Sequence, residues 1–530
     1  MSFRPNSQGL FPQPFAPVAW LARPLVGAPV FVAVIAVFVT MQVWGQPFAP
    51  VVVAAGMVGL YMALNIGAND VANNVGPAVG AGAISMVGAL VIAMVFEAAG
   101  ALIAGGDVVG TISKGIIAPQ AVGHSGDFVR LMIAALVAAA IWINVATAVG
   151  APVSTTHSIV GGVLGGGLAA AGLASVNWTV MGMIAASWVL SPALGAAFAA
   201  AVLALLKALI AFRDDRVSAA RQWVPVFVGA MAGTFAAYLA IKGLHRIWRP
   251  DAGSTVALSA VTAIAVYAAV RYRLRNIAER VANTREEVGR LFTIPLVVAA
   301  ALLSFAHGSN DVANAVGPLA AIVHIVSAED IAAQVVIPRW VMVVGALGLS
   351  VGLALFGGKM VRRVGSEITE MDRLRAFAVV LSAAVTVIVA SALALPVSST
   401  HIALGAVFGV GFLREYLENQ AGKVRAIRAL YDDYREPKLF DTPRSEIRSL
   451  RAAVEDLNRG LPDETIRRQL AHLTEKAERA VEEWQAVKLV RRSHLRTIVA
   501  AWLVTVPATA GFAAVVYFVL SAVPLPGIAD

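Results

Sequence analysis

Long apolar runs separated by short polar or basic segments set the pattern of this chain. Stretches near 28–46, 49–66, 85–104, 131–150, 178–206, 223–241, 254–270, 291–306, 335–357, 376–395 and 497–521 are each about as long as a helix that crosses a bilayer, roughly 20 residues. Two glycine-rich stretches, 151–173 and 396–412, read as further, less regular crossings. The pattern predicts an all-α polytopic membrane protein with thirteen crossings. The first 27 residues are rich in Pro and Phe and lack a small-residue cleavage site behind a short apolar core. The stretch 28–46 is therefore expected to be a retained span and not a removed signal peptide.

Composition agrees. Of 530 residues, 58% are hydrophobic and 14% charged, and the mean hydropathy is +0.76, whereas soluble domains carry about a quarter charged residues. The net charge of +9 raises the question of nucleic acid. The basic residues, however, sit in short runs between apolar stretches, as on the cytoplasmic flanks of membrane helices, and no nucleic-acid partner is expected. With no cysteine, disulfides, thiolate metal sites, iron–sulfur clusters and thiol nucleophiles are excluded.

Arginine and lysine also predict orientation. Segment 359–375 holds Lys359, Arg362, Arg363, Arg373 and Arg375, and 271–290 holds Arg271, Arg273, Arg275, Arg280, Arg285 and Arg290, whereas 105–130 holds only Lys114 and Arg130. Placing 212–222, 271–290 and 359–375 in the cytoplasm puts the N-terminus inside and the C-terminus outside the cell membrane. Lys242, Arg246 and Arg249 then fall outside, against the rule. Residues 414–496 carry 18 of the 41 basic and 15 of the 32 acidic residues, which marks a soluble cytoplasmic insert. Leu450, Ala453, Val454 and Leu457, then Ile466, Leu470 and Leu473, recur at helical spacing around a Gly460-Leu461-Pro462 turn.

Self-similarity carries the strongest signal. Gly67-Ala68-Asn69-Asp70-Val71-Ala72-Asn73-Asn74-Val75-Gly76-Pro77 returns as Gly308-Ser309-Asn310-Asp311-Val312-Ala313-Asn314-Ala315-Val316-Gly317-Pro318, identical at 9 of 11 positions. Pro152-Val153-Ser154-Thr155-Thr156-His157 returns as Pro396-Val397-Ser398-Ser399-Thr400-His401, with glycines following in register. A weaker echo pairs Trp188-Val189-Leu190-Ser191-Pro192 with Trp502-Leu503-Val504-Thr505-Val506-Pro507. The expected organisation is a tail and extra span (1–48), a first repeat (49–211), inter-repeat spans with a basic linker (212–290), a second repeat (291–413), the helical insert (414–496) and the last span (497–530). The charge reading gives the copies opposite orientation, the inverted-repeat architecture of secondary transporters, whose sites lie where interrupted helices meet near mid-membrane.

The motifs have chemistry to match. An aspartate inside an apolar span costs about 2.5–3.5 kcal/mol to insert, yet the chain carries one twice. Gly before and Gly-Pro after each aspartate are expected to break the helix and free carbonyls that line a cavity. Carboxylate, carboxamide and freed carbonyls together make hard oxygen ligands for a small cation. In the Ser/Thr motifs, proline, hydroxyls and an apolar glycine-rich helix read as a helix N-terminus, an anion site that needs no arginine. Neither motif contains Lys or Arg, so an oxyanion there needs co-bound cations, and cation–anion symport follows. His157 and His401 read as packing residues rather than proton carriers.

At these residues the chain resembles the inorganic phosphate transporter (PiT) family, over about 49–211 and 291–521. The resemblance implies a phosphate permease driven by Na⁺ or H⁺, with no other cofactor and with alternating access between the repeats. It implies that Asp70, Asn73, Asp311 and Asn314 hold the coupling ion. Ser154, Thr155, Thr156, Ser398, Ser399 and Thr400 would contact phosphate, with Asn69 and Asn310 near both. Two features depart from the family: the long hydrophilic segment interrupts the second repeat after Gly411, and a span at 28–46 precedes the first. A sulfate permease of the same architecture is the alternative, and oligomeric state is left open. A membrane enzyme is disfavoured by the missing His/carboxylate metal constellation, an ATP-driven pump by the missing phosphate-binding loop, and a channel by the repeats themselves.

Overall fold

The computed structural model of the protein describes residues 24–149, 151, 153–243, 248–278, 281–327, 337–367, 371–432 and 492–528. Its helices are α1 (Pro24–Gln42), α2 (Ala49–Gly80), α3 (Met86–Ala104), α4 (Ser125–Val149), α5 (Thr155–Ala171), α6 (Trp178–Leu206), α7 (Arg216–Tyr238), α8 (Ala252–Ala278), α9 (Thr293–Ser327), α10 (Arg339–Glu367), α11 (Arg373–Ala392), α12 (Ser399–Asp432) and α13 (Arg492–Ser521). Among the described residues, eleven helical stretches are long and apolar enough to cross a membrane, one at each of the eleven expected positions. The two glycine-rich crossings are α5 and the start of α12.

The chain divides into two compact units, Met1–Gly409 with Ser493–Asp530, and Val410–Arg492. In the second unit Arg414 Nε donates to Glu418 Oε1 at 2.7 Å, one turn along α12. The helical hairpin expected over 450–473 lies outside the described residues, as do Pro152, Arg246 and Arg280.

Short polar side chains fix where helices begin. Ser85 accepts from the Gly88 amide at 3.2 Å, Asn177 from Val180 at 3.2 Å and Asp372 from Arg375 at 2.8 Å. Each cap satisfies one of the amides that a helix start leaves unpaired. Asp215 caps Ser218 in the same way at 3.0 Å, and bonds from the Ser218 hydroxyl and then its amide hold the carboxyl below the usual 3.8.

Glycine decides how closely the helices cross. A Cβ on Gly67 of α2 would strike the Leu349 carbonyl of α10, and one on Gly308 of α9 would strike the Glu97 carbonyl of α3. Gly352 meets Leu64, and Gly100 meets Phe305, in the same manner. With little hydrophobic drive between helices in lipid, such small residues bring backbones into contact. The exchange recurs at the later helices, where Gly165 of α5 abuts Ala510 of α13 and Gly409 of α12 abuts Ala196 of α6. Each copy therefore packs its glycines onto the other.

Polar contacts sort the loops by end. Arg285 Nη2 lies 3.6 Å from Asp372 Oδ2, Arg373 Nη2 donates to the Gly82 carbonyl at 3.1 Å, and the Arg216 amide donates to Asn283 at 2.9 Å. The basic segments around 216, 285 and 373 thus share one end. Lys242 pairs with Asp107, and Arg130 Nη2 meets the Val523 carbonyl at 3.3 Å, at the opposite end. Lys242, which ran against the charge rule, is neutralised by an aspartate from the very segment expected beside it.

One local expectation is corrected. The Gly67–Pro77 and Gly308–Pro318 segments do not unwind; α2 and α9 run through them, with Pro77 and Pro318 inside. A proline inside a helix removes only its own bond to the residue four back, here at Asn73 and Asn314, and the neighbouring bonds and dense packing keep the turn. The interruptions lie instead at the Ser/Thr segments, between α4 and α5 and between α11 and α12.

Candidate functional site

The middle turns of α2 and α9 face the N-termini of α5 and α12. Asp70 and Asp311 are both 0% exposed, and ligand atoms of Asp70, His307 and Asp311 all lie within 4.8 Å of one another. The two aspartates therefore meet inside protein and not at the lipid face.

Hydroxyls from the two Ser/Thr segments converge on these carboxylates. Thr155 Oγ1 donates to Asp70 Oδ2 at 3.0 Å, and Thr400 Oγ1, from the other copy, donates to Asp70 Oδ1 at 2.9 Å. Ser399 Oγ donates to Asp311 Oδ2 at 2.8 Å. The asparagines one turn along cross between copies: Asn73 Nδ2 donates to Thr400 Oγ1 at 2.9 Å, and Asn314 Nδ2 to Thr156 Oγ1 at 3.2 Å and Thr155 Oγ1 at 3.3 Å. Thr156 itself donates to the Val397 carbonyl at 2.9 Å.

The other expected residues stand just behind. Asn69 Nδ2 donates to Thr147 Oγ1 at 2.8 Å, and Asn310 Nδ2 to Ser391 Oγ at 3.0 Å. Ser154 and Ser398 are helix caps, accepting from the His157 and His401 amides at 3.1 and 3.2 Å. The two histidines are ring-packing residues. His157 stacks on Trp188 and His401 on Trp502, each with centroids 3.7 Å apart, and the histidine rings lie 4.5 Å from each other. The weak Trp188/Trp502 echo in the sequence is thus matched by equivalent contacts.

Three buried residues of the site were not singled out by the repeat. His307 Nε2 lies 2.9 Å from Asp311 Oδ2 and 3.7 Å from Asp70 Oδ2, while its Nδ1 lies 3.0 Å from Glu97 Oε1. Asn74 Nδ2 donates to the same Glu97 oxygen at 2.7 Å. The signals were present: a glutamate inside the apolar span 85–104, and a histidine directly before the second motif where the first copy has Ile66.

The electrostatics follow from this count. Three carboxylates face one imidazole, so even a protonated His307 could balance only one of them, and buried charge demands compensation. Five buried acceptor oxygens also lack hydrogen-bond partners: Oδ1 of Asn69, Asn74, Asn310 and Asp311, and Oε2 of Glu97. Each such oxygen costs about 1–3 kcal/mol if left unsatisfied. A buried carboxylate cluster edged with free oxygens is chemically fitted to a small hard cation.

Comparison with known proteins decides the family. Residues 66–513 match the phosphate transporter family. The chain belongs to that family. A Helicobacter pylori protein named "Putative phosphate permease" is 44% identical over 479 residues, covering 88% of this chain and 89% of its own. A Pyrococcus horikoshii relative of the same description is 39% identical over 69% of this chain and 90% of its own. Among solved structures, one described as the sodium-dependent phosphate transporter superposes with a TM-score of 0.73 at 30% identity, covering 90% of this chain and 100% of that one. The family is one of membrane permeases, so this member is a multi-pass transporter and not an enzyme.

Proposed function

We propose that the chain takes up inorganic phosphate together with Na⁺ by alternating access. Its two copies would lie inverted across the cell membrane, with their basic ends and residues 414–496 in the cytoplasm. The observation that carries this reading is the Asp70 carboxylate, which accepts hydroxyls from both copies at once. The acidic and hydroxyl-bearing motifs thereby form one wall, where a cation and an oxyanion can offset each other's charge.

In this reading Asp70, Asn73, Asp311 and Asn314 hold the cation, joined by Glu97. Thr155, Thr156, Ser399, Thr400 and the first-turn amides of α5 and α12 receive phosphate, with Asn69 and Asn310 beside both. Ser154 and Ser398 shape the anion site by capping its helices. Phosphate is favoured over sulfate because Asp311 Oδ1 is a buried acceptor without a partner; phosphate at neutral pH retains an O–H to donate and sulfate does not. Sodium is favoured by the free oxygen ligands and by the sodium dependence named for the structural relative. Proton coupling is the second reading, supported by His307 set between Asp311 and Glu97.

The test is radiolabelled phosphate uptake into proteoliposomes under an imposed Na⁺ gradient or an imposed pH gradient. Uptake should follow the Na⁺ gradient, resist competition by sulfate, and vanish in Asp70→Asn and Asp311→Asn. Uptake that follows only the pH gradient would replace sodium by the proton. Unchanged uptake in both variants would overturn the site.

A further inference from the structure

An open cavity of ≈ 450 Å³ lies between α7 and α8, remote from the buried aspartates, and is lined by Ser218, Arg221, Gln222, Trp223, Tyr267, Arg271 and Arg275 among others. Among the described residues no carboxylate lines it. Tyr267, Arg271 and Arg275 follow at four-residue steps on one face of α8, and Arg271 Nη1 donates to the Tyr267 hydroxyl at 3.1 Å. The facing groups on α7 are Ser218, Arg221 and Gln222; Asp215, capped onto Ser218, is the acidic neighbour of Arg221. Among the described residues, three guanidiniums therefore meet one carboxylate at the cavity's edge.

The surroundings say what kind of anion would come. α8 contributes almost nothing to the protein core: Val256, Val261 and Ile264 are 68%, 64% and 67% exposed, and Val226 on α7 is exposed beside the cavity. The cavity thus opens along an apolar face that lies against acyl chains, and its Trp223 and Tyr267 are residues favoured at headgroup depth. α7 and α8 are held together by close packing, with Ser259 Oγ donating to the Gly233 carbonyl at 2.9 Å. Guanidiniums bind phosphate oxygens in a two-pronged geometry, and basic pockets between membrane helices select anionic headgroups.

We propose that this cavity is a binding site for an anionic phospholipid, with its phosphate on Arg221, Arg271 and Arg275 and its acyl chains along the exposed faces of α7 and α8. The full-length protein in detergent can be titrated with dioleoylphosphatidylglycerol or dioleoylphosphatidylcholine and the adducts counted by native mass spectrometry. Phosphatidylglycerol should bind about tenfold tighter or more, since clustered arginines attract an anionic headgroup over a zwitterionic one, and the preference should shrink as salt rises. In R221Q/R271Q/R275Q the two lipids should bind alike. Equal binding of both lipids to the unaltered protein would overturn the proposal, and so would a preference that survives in a folded triple variant. Displacement of phosphatidylglycerol by inorganic phosphate would reassign the cavity to the free anion. The comparison on unaltered protein decides the matter even if the variant fails to fold.

Discussion

The bond between Thr400 and Asp70 gives the sharpest test, because it joins the two copies and its strength can be set against a neighbour's. Thr400→Val keeps the shape of the side chain but removes a hydroxyl that donates to Asp70 Oδ1 at 2.9 Å and accepts from Asn73 at 2.9 Å. Hydrogen bonds to a charged group contribute about 1.5–3 kcal/mol, whereas neutral side-chain pairs inside a membrane protein average about 0.6 kcal/mol in double-mutant cycles. A cycle of Thr400→Val against Asp70→Asn, measured by unfolding of the purified protein in mixed micelles, should return a coupling of about 1.5–3 kcal/mol in choline chloride. The internal control is the neutral pair Asn69–Thr147 at 2.8 Å, for which Asn69→Ala against Thr147→Val should give about 0.6 kcal/mol. In sodium chloride with phosphate present the Thr400–Asp70 coupling should fall, because an ion on Asp70 takes over the role of the hydroxyl. A coupling no larger than the control would refute the charged bond. An identical coupling in both salts would refute the cation assignment while leaving the bond standing.

Further predictions concern packing, pH and stacking. Gly67→Ala and Gly308→Ala should each lower the thermal midpoint by the equivalent of about 1–3 kcal/mol or more, because the new methyl meets backbone that cannot retreat. Gly182→Ala, with open space around it, should be neutral or stabilising by up to about 1 kcal/mol; equal behaviour of the three would sink the close-crossing argument. The Asp215 carboxyl is held low by its Ser218 bonds, so its cap is present above the unfolded value of 3.8 and is lost only as pH falls through the lowered folded value. Protection of the Ser218 amide, corrected for intrinsic exchange, should stay flat from neutral pH to about 5, and a loss near neutrality would contradict the cap. Trp188→Phe should preserve the stack on His157, whereas Trp188→Ala should destabilise by roughly 3 kcal/mol; thermal melts that do not separate the two variants would show that the rings carry no weight.

Much of this was legible in the residues, for identifiable reasons. Crossing a bilayer imposes a length and a composition, so each of the eleven apolar stretches could be placed from the chain alone. The Ser/Thr segments announced themselves as helix N-termini; Ser154 and Ser398, expected to contact phosphate, prove to cap those helices, since a hydroxyl three residues before an unpaired amide has a local use. The continuity of α2 and α9 was not legible: Gly-Pro in a soluble helix reads as a stop, but dense packing on every side of Pro77 and Pro318 keeps the turn intact. Glu97, Asn74 and His307 escaped for a different reason. Their counterparts in the other copy are Leu349, Ala315 and Ile66, and a search for what two copies share discards the positions at which they differ.

That difference has a physical consequence. Duplication supplies matched geometry: each aspartate with a hydroxyl from its own copy, each motif asparagine reaching into the other copy, each motif histidine on a tryptophan. A site with strictly matched halves would hold two aspartates and no other charge. The added pair of Glu97 and His307 sits to one side of the Asp70–Asp311 axis, with the imidazole bridging Glu97 and Asp311, so the two aspartates have unequal environments. Asp70 has both oxygens engaged by hydroxyls, whereas Asp311 keeps one oxygen free. Of the two, Asp311 is the side that a first cation can enter without displacing a hydrogen bond, and binding at Asp70 must break bonds that tie the copies together. On the proposed function, filling of the second position would be energetically linked to movement of one copy against the other. Asp311→Asn should therefore weaken the tighter of two cation-binding steps in calorimetry, and Asp70→Asn the step that depends on phosphate. If both variants weaken the same step equally, the inequality between the halves has no part in coupling.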